Sequence, residues 1–276
     1  MISKKDIQAF EEKHRILLQV NEFICLRPHP GLREYIANYN ITFPTKDLMP
    51  GGFTVLPCGC ATLAIEKNNQ KLSVDLHGPI TKPYLADSWA NLEMVVTIEF
   101  KPAGLYALTG ISQTELRDKT LPLEAVDTAL SKLLSEAAEK ANSLHEMVAG
   151  LDSLLLTNMH GAYPPEVRQL LQNVRDAAGN ITVKKLSEDI HYSERQLNRM
   201  CKQHIGASAK SFARLIRINH SFRLLKKTQS SLSLVSDVAG FHDLPHFVRD
   251  FKLVCGITPG EYRGNMSDFY NNPTKF

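Results

Sequence analysis

The chain has 276 residues, carries 32 Lys and Arg against 29 Asp and Glu for a net charge of +3, and is 43% hydrophobic. That length suggests two domains, each able to bury its own core, and a charged fraction of 22% fits neither a collagen-like nor a disordered chain. Apolar runs such as 94–98 fall far short of the roughly 18 residues a membrane span needs. The opening MISKKDIQAFEEKH has no uninterrupted apolar stretch, which argues against export. Five cysteines are an odd number in a chain too long to need staples, so reduced thiols in a cytoplasmic protein are expected.

In chain order, residues 1–20 read as a helix with Ile7, Phe10, Leu17 and Leu18 on one side. From Phe23 to Phe100 the pattern changes to short alternating or β-branched runs broken by Pro, Gly and Asn. These runs are Tyr35–Phe43, Gly52–Leu56, Ala61–Glu66, Lys71–His77 and Glu93–Phe100. Asn68-Asn69 predicts a hairpin, and strands so short and evenly spaced predict a small barrel or sandwich over about 23–100. Leu130, Leu133, Leu134, Ala137 and Ala138, then Leu144, Met147, Val148, Leu151 and Leu155, predict two helices over about 128–156, broken near Asn142-Ser143. Their stripes exceed what one isolated hairpin buries, so they either dimerise or pack on their own barrel.

Cys58, Cys60 and His77 offer soft ligands, but zinc normally takes four well-spaced ones and no CxxC or HxxxH partner is present. No metal and no other cofactor is expected. The absence of GxSxG, GxxxxGK[ST] and GxGxxG removes support for hydrolase, P-loop and Rossmann chemistry, and with it for an enzyme.

The overall charge hides an asymmetry: residues 1–163 carry 15 basic and 19 acidic side chains, whereas residues 164–264 carry 16 and 9, a local balance of +7. A basic third beside an acidic remainder is the footprint of a polyanion-binding domain, or else a solvated charged helix surface. Within that third one unit occurs twice at an offset of 50, pairing Leu197 with Phe247, Arg199 with Arg249, Lys202 with Lys252, Gly206 with Gly256, Ser208 with Thr258 and Phe212 with Tyr262.

Each copy reads as two short helices and a tight turn. In the first, Thr182 caps a helix bearing Val183, Leu186 and Ile190 on one face; Ser193 caps a second with Leu197, Met200, Cys201 and Ile205 inward, ended by Gly206. In the second, Leu232, Val235 and Ala239 precede a helix capped by Asp243, with Pro245 in its first turn, Phe247, Phe251 and Val254 inward, and Gly256 at its end. This is a helix-turn-helix pattern, used twice. Ser208 to about Thr228 reads as one connecting helix, about 19 residues and roughly 28 Å long. That approaches a turn of B-DNA, so one chain could place both second helices in successive major grooves.

These residues resemble a known family. ITVKKLSEDIHYSERQLNRMCKQHIGASAKSFARLIRINHSFRLLKK and SLVSDVAGFHDLPHFVRDFKLVCGITPGEYR are similar to the DNA-binding domain of AraC-type (arabinose-regulator-like) transcription regulators. The most specific block is Gly240-Phe241, His246-Phe247, Arg249, Phe251-Lys252, Gly256, Thr258-Pro259 and Tyr262-Arg263. Ser187 and Ser236 depart from the family's usual core Ala, and their hydroxyls are expected to bond back to the preceding turn. Leu244 stands where a polar base reader is common.

The resemblance implies an α+β protein: a sensor and oligomerisation domain over 1–160, built as a small cupin-like β-barrel or sandwich with flanking helices, then an all-α double helix-turn-helix domain over 165–264. Gly104–Glu124 resembles the segment that follows the barrel in one subgroup. Carried over position by position, the base-contacting residues are Arg195, Asn198 and Arg199 in the first copy and Leu244, His246 and Arg249 in the second. Lys184, Lys185, Ser193, Lys202, Lys210, Asp243 and Lys252 become phosphate candidates, a solvated surface role standing open for each lysine. Tyr84, Trp89, Phe100 and Tyr106 become candidates for an effector pocket, against the ordinary reading of a strand aromatic as core.

The implied function is sequence-specific, effector-responsive transcription regulation on double-stranded DNA. RNA polymerase, a small-molecule effector and a second copy of the chain are the implied partners, and no membrane is. Two alternatives stay open: a barrel enzyme that the basic domain merely localises, and a regulator whose barrel is purely structural.

Overall fold

The computed structural model describes residues 2–45, 53–69, 71–86, 89, 91–227 and 230–264. Gly52 and Thr228, at the ends of two predicted elements, lie outside the described residues. The chain is mixed helix and sheet, an N-terminal antiparallel sheet domain followed by a helical domain.

Residues 1–20 are not one helix. Helix α1 (Lys4–Gln8) is followed by a 3-10 turn (Lys13–Arg15) and strand β1 (Ile16–Gln19). Ile7 and Phe10 do enter the core, but Leu18 is left 46% exposed on an edge strand. The pull comes from Arg15, buried against Asp152 at 2.8 Å, which fixes an extended exit that an uninterrupted helix could not provide.

The sheet continues with β2 (Phe23–Leu26), β3 (Ile36–Thr42), β4 (Phe53–Val55), β5 (Thr62–Asn68), β6 (Lys71–His77), β7 (Tyr84–Ala86), β8 (Met94–Phe100) and, after helices α2 (Gly104–Thr109) and α3 (Gln113–Leu116), β9 (Thr120–Pro122). Seven strands form one antiparallel sheet in the order β1-β2-β3-β8-β5-β6-β9, and β4 pairs with β7 in a separate ribbon. The β5–β6 hairpin turns at Asn69, whose φ of 46° lies in the left-handed region that Asn tolerates.

Register separates the two faces, because cross-strand partners share a face and the side-chain period is two. Leu26, Tyr39, Ile98, Leu63, Leu76 and Leu121 stand in one row, and Ile24, Ile41, Val96, Ile65 and Val74 in another on the same side. Helices α4 (Thr128–Lys140) and α5 (Leu144–Asn158) cover this side. Leu130, Leu134, Ala138, Leu144, Met147, Val148, Leu151 and Leu155 join the strand residues in one core. Those stripes are therefore spent on the chain's own sheet and are not available to a second copy. Of the predicted apolar positions, Leu133 stays 40% exposed. Asp152 of α5 locks the arrangement, accepting from the Tyr39 hydroxyl at 2.9 Å and the His29 N–H at 3.0 Å beside its Arg15 pair.

The helical part comprises α6 (Pro165–Asp176), α7 (Val183–Asp189), α8 (Glu194–Ile205), α9 (Ala209–Lys227), α10 (Leu232–Val238), α11 (Leu244–Cys255) and α12 (Pro259–Gly264). Thr182, Ser193, Ser231 and Asp243 each accept a backbone N–H from the first turn of the helix they open. Helix α9 carries two cores on its two sides. Phe212, Ala213 and Ile216 pack with α6, α7 and α8; Leu215, Ile218 and Leu225 pack with α10, α11 and α12.

Ser187 bonds back to the Lys184 carbonyl at 2.8 Å as expected, whereas the buried Ser236 hydroxyl has no partner among the described residues. All five cysteines are buried, and burial pushes Cys201 up to about 12. Among the described residues, no helix is long and apolar enough to cross a membrane.

Candidate nucleic-acid interface

The first reading helix, α8, is held at both ends. Ser193 Oγ accepts the Gln196 N–H at 3.3 Å while Gln196 Oε1 accepts the Ser193 N–H at 2.9 Å, a reciprocal cap. Gly206 closes the helix at φ 82°. With Leu197, Cys201 and Ile205 turned into the core, Arg195, Arg199 and Lys202 are left exposed, without an ion pair or side-chain hydrogen bond among the described residues. Asn198 is different: its Oδ1 accepts the Ala209 N–H at 3.1 Å and its amide donates to the Glu194 carbonyl at 2.9 Å. One end of this predicted reader orders the start of α9 and the other bonds back within α8.

The second reading helix, α11, is opened by Asp243, whose Oδ1 accepts the His246 N–H at 2.7 Å. That bond, and then His242, keep the Asp243 carboxyl below its usual range. An ionised cap repels phosphate, so Asp243 serves the helix and not the anion; Ser193 likewise spends its hydroxyl on Gln196. His246 is tied as well. Its Nδ1 accepts the His242 N–H at 3.4 Å and its Nε2 lies 3.3 Å from Asp250.

Asp250 is a hub that sequence reasoning missed. Only 5% exposed, it also meets Arg214 at 3.4 Å and Arg217 at 3.5 Å, and Arg217 in turn lies over the Phe241 ring at 4.7 Å. The signal was present: a carboxylate four residues after His246 on a helix bearing Phe247 and Phe251 inward requires cations from a neighbour. Leu244 is half-buried against the second core, leaving Arg249 and Lys252 as the exposed cations of α11. Among the phosphate candidates Lys184 and Lys210 are exposed, and Lys185 is paired with Asp189 at 2.7 Å.

The sheet domain docks directly on this surface. Helix α3 lies along α8: the Thr114 hydroxyl donates to the Lys202 carbonyl at 2.7 Å, and a Cβ on Gly206 would come within 2.9 Å of the Gln113 carbonyl. From α2, Tyr106 packs against His204 with ring centroids 4.1 Å apart and the planes tilted by 57°, and it accepts from Gln203 Nε2 at 3.1 Å. His204 is 5% exposed, and burial lowers its pKa. Further along, Glu34 pairs with Arg168 at 2.6 Å and Tyr35 packs on Tyr163 at 4.8 Å; Asn219 of α9 donates to the Pro57 carbonyl at 3.4 Å. Between α3 and α8 runs a cleft of about 1060 Å³ whose walls include Thr114 and Glu115 on one side and Arg195, Arg199 and Lys202 on the other.

The four aromatics proposed for an effector pocket belong to different elements of the fold. Phe100 is fully buried in the sheet core, Tyr84 belongs to the β4–β7 ribbon, Trp89 follows that ribbon, and Tyr106 faces α8.

Two capped helix pairs flanking one shared helix, each presenting an exposed arginine from its second helix, define a helix-turn-helix nucleic-acid-binding domain. Residues 186–265 match the family described as "Helix-turn-helix domain", a domain of AraC type. Residues 25–122 match a domain of unknown function, DUF6597.

The chain is 27% identical over 141 residues to the HTH-type transcriptional regulator YobQ of Bacillus subtilis, covering 50% of this chain and 56% of that one. It is 28% identical over 131 residues to the arabinose operon regulatory protein of Escherichia coli, covering 44% and 45%. The chain thus spans about half the length of these relatives. Among solved structures, it is similar to the C-terminal domain of AraT from Geobacillus stearothermophilus, at 25% identity over 41% of this chain and 95% of that one, TM-score 0.37. It is also similar to ToxT from Vibrio cholerae, at 12% identity over 82% and 97%, TM-score 0.42.

Proposed function

We propose that the protein is a sequence-specific transcription regulator of the cytoplasm and not an enzyme, in which residues 165–264 bind double-stranded DNA and residues 1–160 sense a small-molecule effector. The observation that carries this reading is the pair of equivalent, exposed and uncommitted arginines, Arg199 and Arg249, on helices whose inward apolar residues are buried in the two cores. Arg195 and Arg199 are the principal base readers, since a guanidinium can bond a guanine bidentately. Arg249 is the reader left on α11, where His246 is committed to Asp250. Lys184, Lys202, Lys210 and Lys252 serve phosphates. Helix α9, with 19 residues, sets the spacing of the two readers.

The docked arrangement is the resting form. A reading helix about 10–12 Å across fills a major groove about 12 Å wide, so a duplex seated on α8 needs the space that α3 holds. An effector that favours the undocked form would raise DNA occupancy, by no more than its differential affinity for the two forms. Contact with RNA polymerase follows once the protein is on DNA. A second copy, implied by the resemblance, must use a surface other than the buried stripes of α4 and α5.

The test is binding to duplexes selected from a random pool by the full chain. Arg199→Ala should cost about 1–3 kcal/mol on the selected duplex and relax preference at one base pair. Lys202→Ala should weaken selected and scrambled duplexes alike and lower the salt slope by about one. Equal losses on both duplexes for Arg199→Ala would remove it as a reader.

A further inference from the structure

The effector-responsive reading leaves the effector's chemistry open, and the inference below rests on that reading and deepens it. On the face of the seven-stranded sheet opposite the apolar core, the register lines up polar rows. Asn38, Glu99, Thr62 and His77 stand side by side on β3, β8, β5 and β6. The next row is Asn40, Thr97, Ala64 and Asp75, and the next Thr42, Val95, Glu66 and Ser73. Most of these groups are withdrawn from solvent: Asn38 is 0% exposed, Thr42 2%, and Asn40 and Thr97 8% each, with Glu66, Asp75, Glu99 and His77 half-buried.

A face buried only against protein is expected to be apolar, as the reverse of this sheet is. Each polar group taken out of water without a hydrogen bond costs about 1–3 kcal/mol. Asn40 is the telling case. Its Nδ2 donates to Thr97 Oγ1 at 3.1 Å, and its buried Oδ1 has no hydrogen-bond partner among the described residues. Turning the amide over would satisfy the oxygen and leave the NH2 group unmet, so either assignment leaves one end of Asn40 without a partner among the described residues.

Across Thr97 from Asn40 the row carries Ala64, itself only 2% exposed. Ala64, with no side chain beyond Cβ, separates Asp75 from Thr97, which stand two strands or about 10 Å apart. Glu66 lies two residues along β5 on the same face. Its carboxyl is raised by burial and by Asp75, the sign of two acidic groups standing close together. His77 adds no positive charge, because burial lowers its pKa and its Nδ1 is within 3.1 Å of Thr120 Oγ1. The rows named here contain three carboxylates and no lysine or arginine.

We propose that this buried polar face is the effector site and that it takes a small organic cation carrying N–H donors, an amine or guanidinium seated over Ala64 between Asp75, Glu66 and Asn40. Asp75 and Glu66 supply the countercharge, and Asn40 and Thr97 fix the ligand's orientation.

The test uses the whole protein, with putrescine and agmatine as probes and 1,4-butanediol as the uncharged match for putrescine. Thermal unfolding should move up by several degrees with either amine at saturating concentration and remain in place with the diol. Asp75→Asn and Glu66→Gln preserve shape, should keep the fold by circular dichroism, and should abolish the shift. An equal response to the diol, a shift that survives both variants, or no shift with either amine would overturn the site.

DNA affinity is then measured at one amine concentration for the parent chain and Asp75→Asn, which cancels the amine's own effect on the duplex. An amine that binds without altering the parent's relative DNA affinity upholds the site and defeats the effector-responsive reading. A DNA response to a neutral sugar, with neither amine bound, upholds that reading and defeats the site.

Discussion

Loosening the contact between α3 and α8 is the sharpest test of the resting form. In the variant Tyr106→Ala/Thr114→Val, one change deletes the ring packed against His204 and the acceptor for Gln203, and the other deletes the hydroxyl that donates to the Lys202 carbonyl. An aromatic pair contributes about 0.5–1.5 kcal/mol beyond its area, and each hydrogen bond about 0.5–1.5 kcal/mol. Thr114 and Gln203 are exposed, so their bonds belong at the low end. A total of about 2 kcal/mol results, worth roughly 30-fold in the docking equilibrium. Apparent DNA affinity, followed by anisotropy of a labelled duplex at fixed salt, should tighten by up to that factor, the ceiling being the fraction docked beforehand. Base preference should not change, because Arg195, Arg199 and Arg249 are untouched. Limited proteolysis across residues 159–164 reports undocking independently. If cleavage there accelerates while affinity stays level or falls, the docked arrangement does not exclude DNA and the reasoning fails.

Other expectations follow from single groups. Asp152→Ala leaves Arg15 and the Tyr39 hydroxyl buried without their shared partner and should cost about 3–5 kcal/mol in urea unfolding; a loss below 1 kcal/mol would show that α5 is held by apolar packing alone. Asn198→Ala should lower stability by about 1 kcal/mol through the lost bond to the Ala209 N–H, with the selected DNA sequence unaltered; a changed base preference would restore Asn198 as a reader. The pKa of His204 is lowered by burial, so the unfolded chain binds its proton more readily than the folded one. Its contribution is complete above the unfolded value of about 6.5 and is lost as pH falls from there through the folded value. Thermal midpoints measured from pH 7.5 down to 5.5 should therefore drop, and His204→Gln should flatten the slope without abolishing it, since burial also lowers His77 and His220. An unchanged slope in His204→Gln would assign the pH response elsewhere.

What could be read from the sequence was local. Ser193, Asp243, Gly206 and Gly256 announce helix ends because each solves a backbone problem within four residues of itself, and the 50-residue offset made each copy a check on the other. The strands Lys71–His77 and Met94–Phe100 were legible for the same reason, as period-two patterns bounded by turns. Failures came where a side chain's role depends on something distant in sequence. Leu17 and Leu18 have helical spacing from Ile7 and Phe10, yet Arg15 is drawn to an aspartate 137 positions away. The leucines of α4 and α5 are as apolar as a dimer seam requires, and no sequence pattern states whether a seam or a sheet receives them. Asn198 and His246 sit at outward helix positions and have the chemistry of base readers, but Ala209 and Asp250 reach them first. The polar rows were overlooked because Asn38, Asn40 and Thr42 alternate with Ala37, Tyr39 and Ile41, the ordinary signature of a half-wet strand; only the burial of every residue of β3 showed both sides to be dry.

The two reading helices share a frame yet differ in what they offer. Helix α8 presents Arg195 and Arg199, whereas α11 keeps Arg249 after His246 is drawn into the Asp250 cluster. Seated on a duplex, such a pair has a front and a back. The chain would distinguish one end of its target from the other without needing a palindrome, and the sheet domain, joined ahead of α6, would always lie toward the same neighbouring gene.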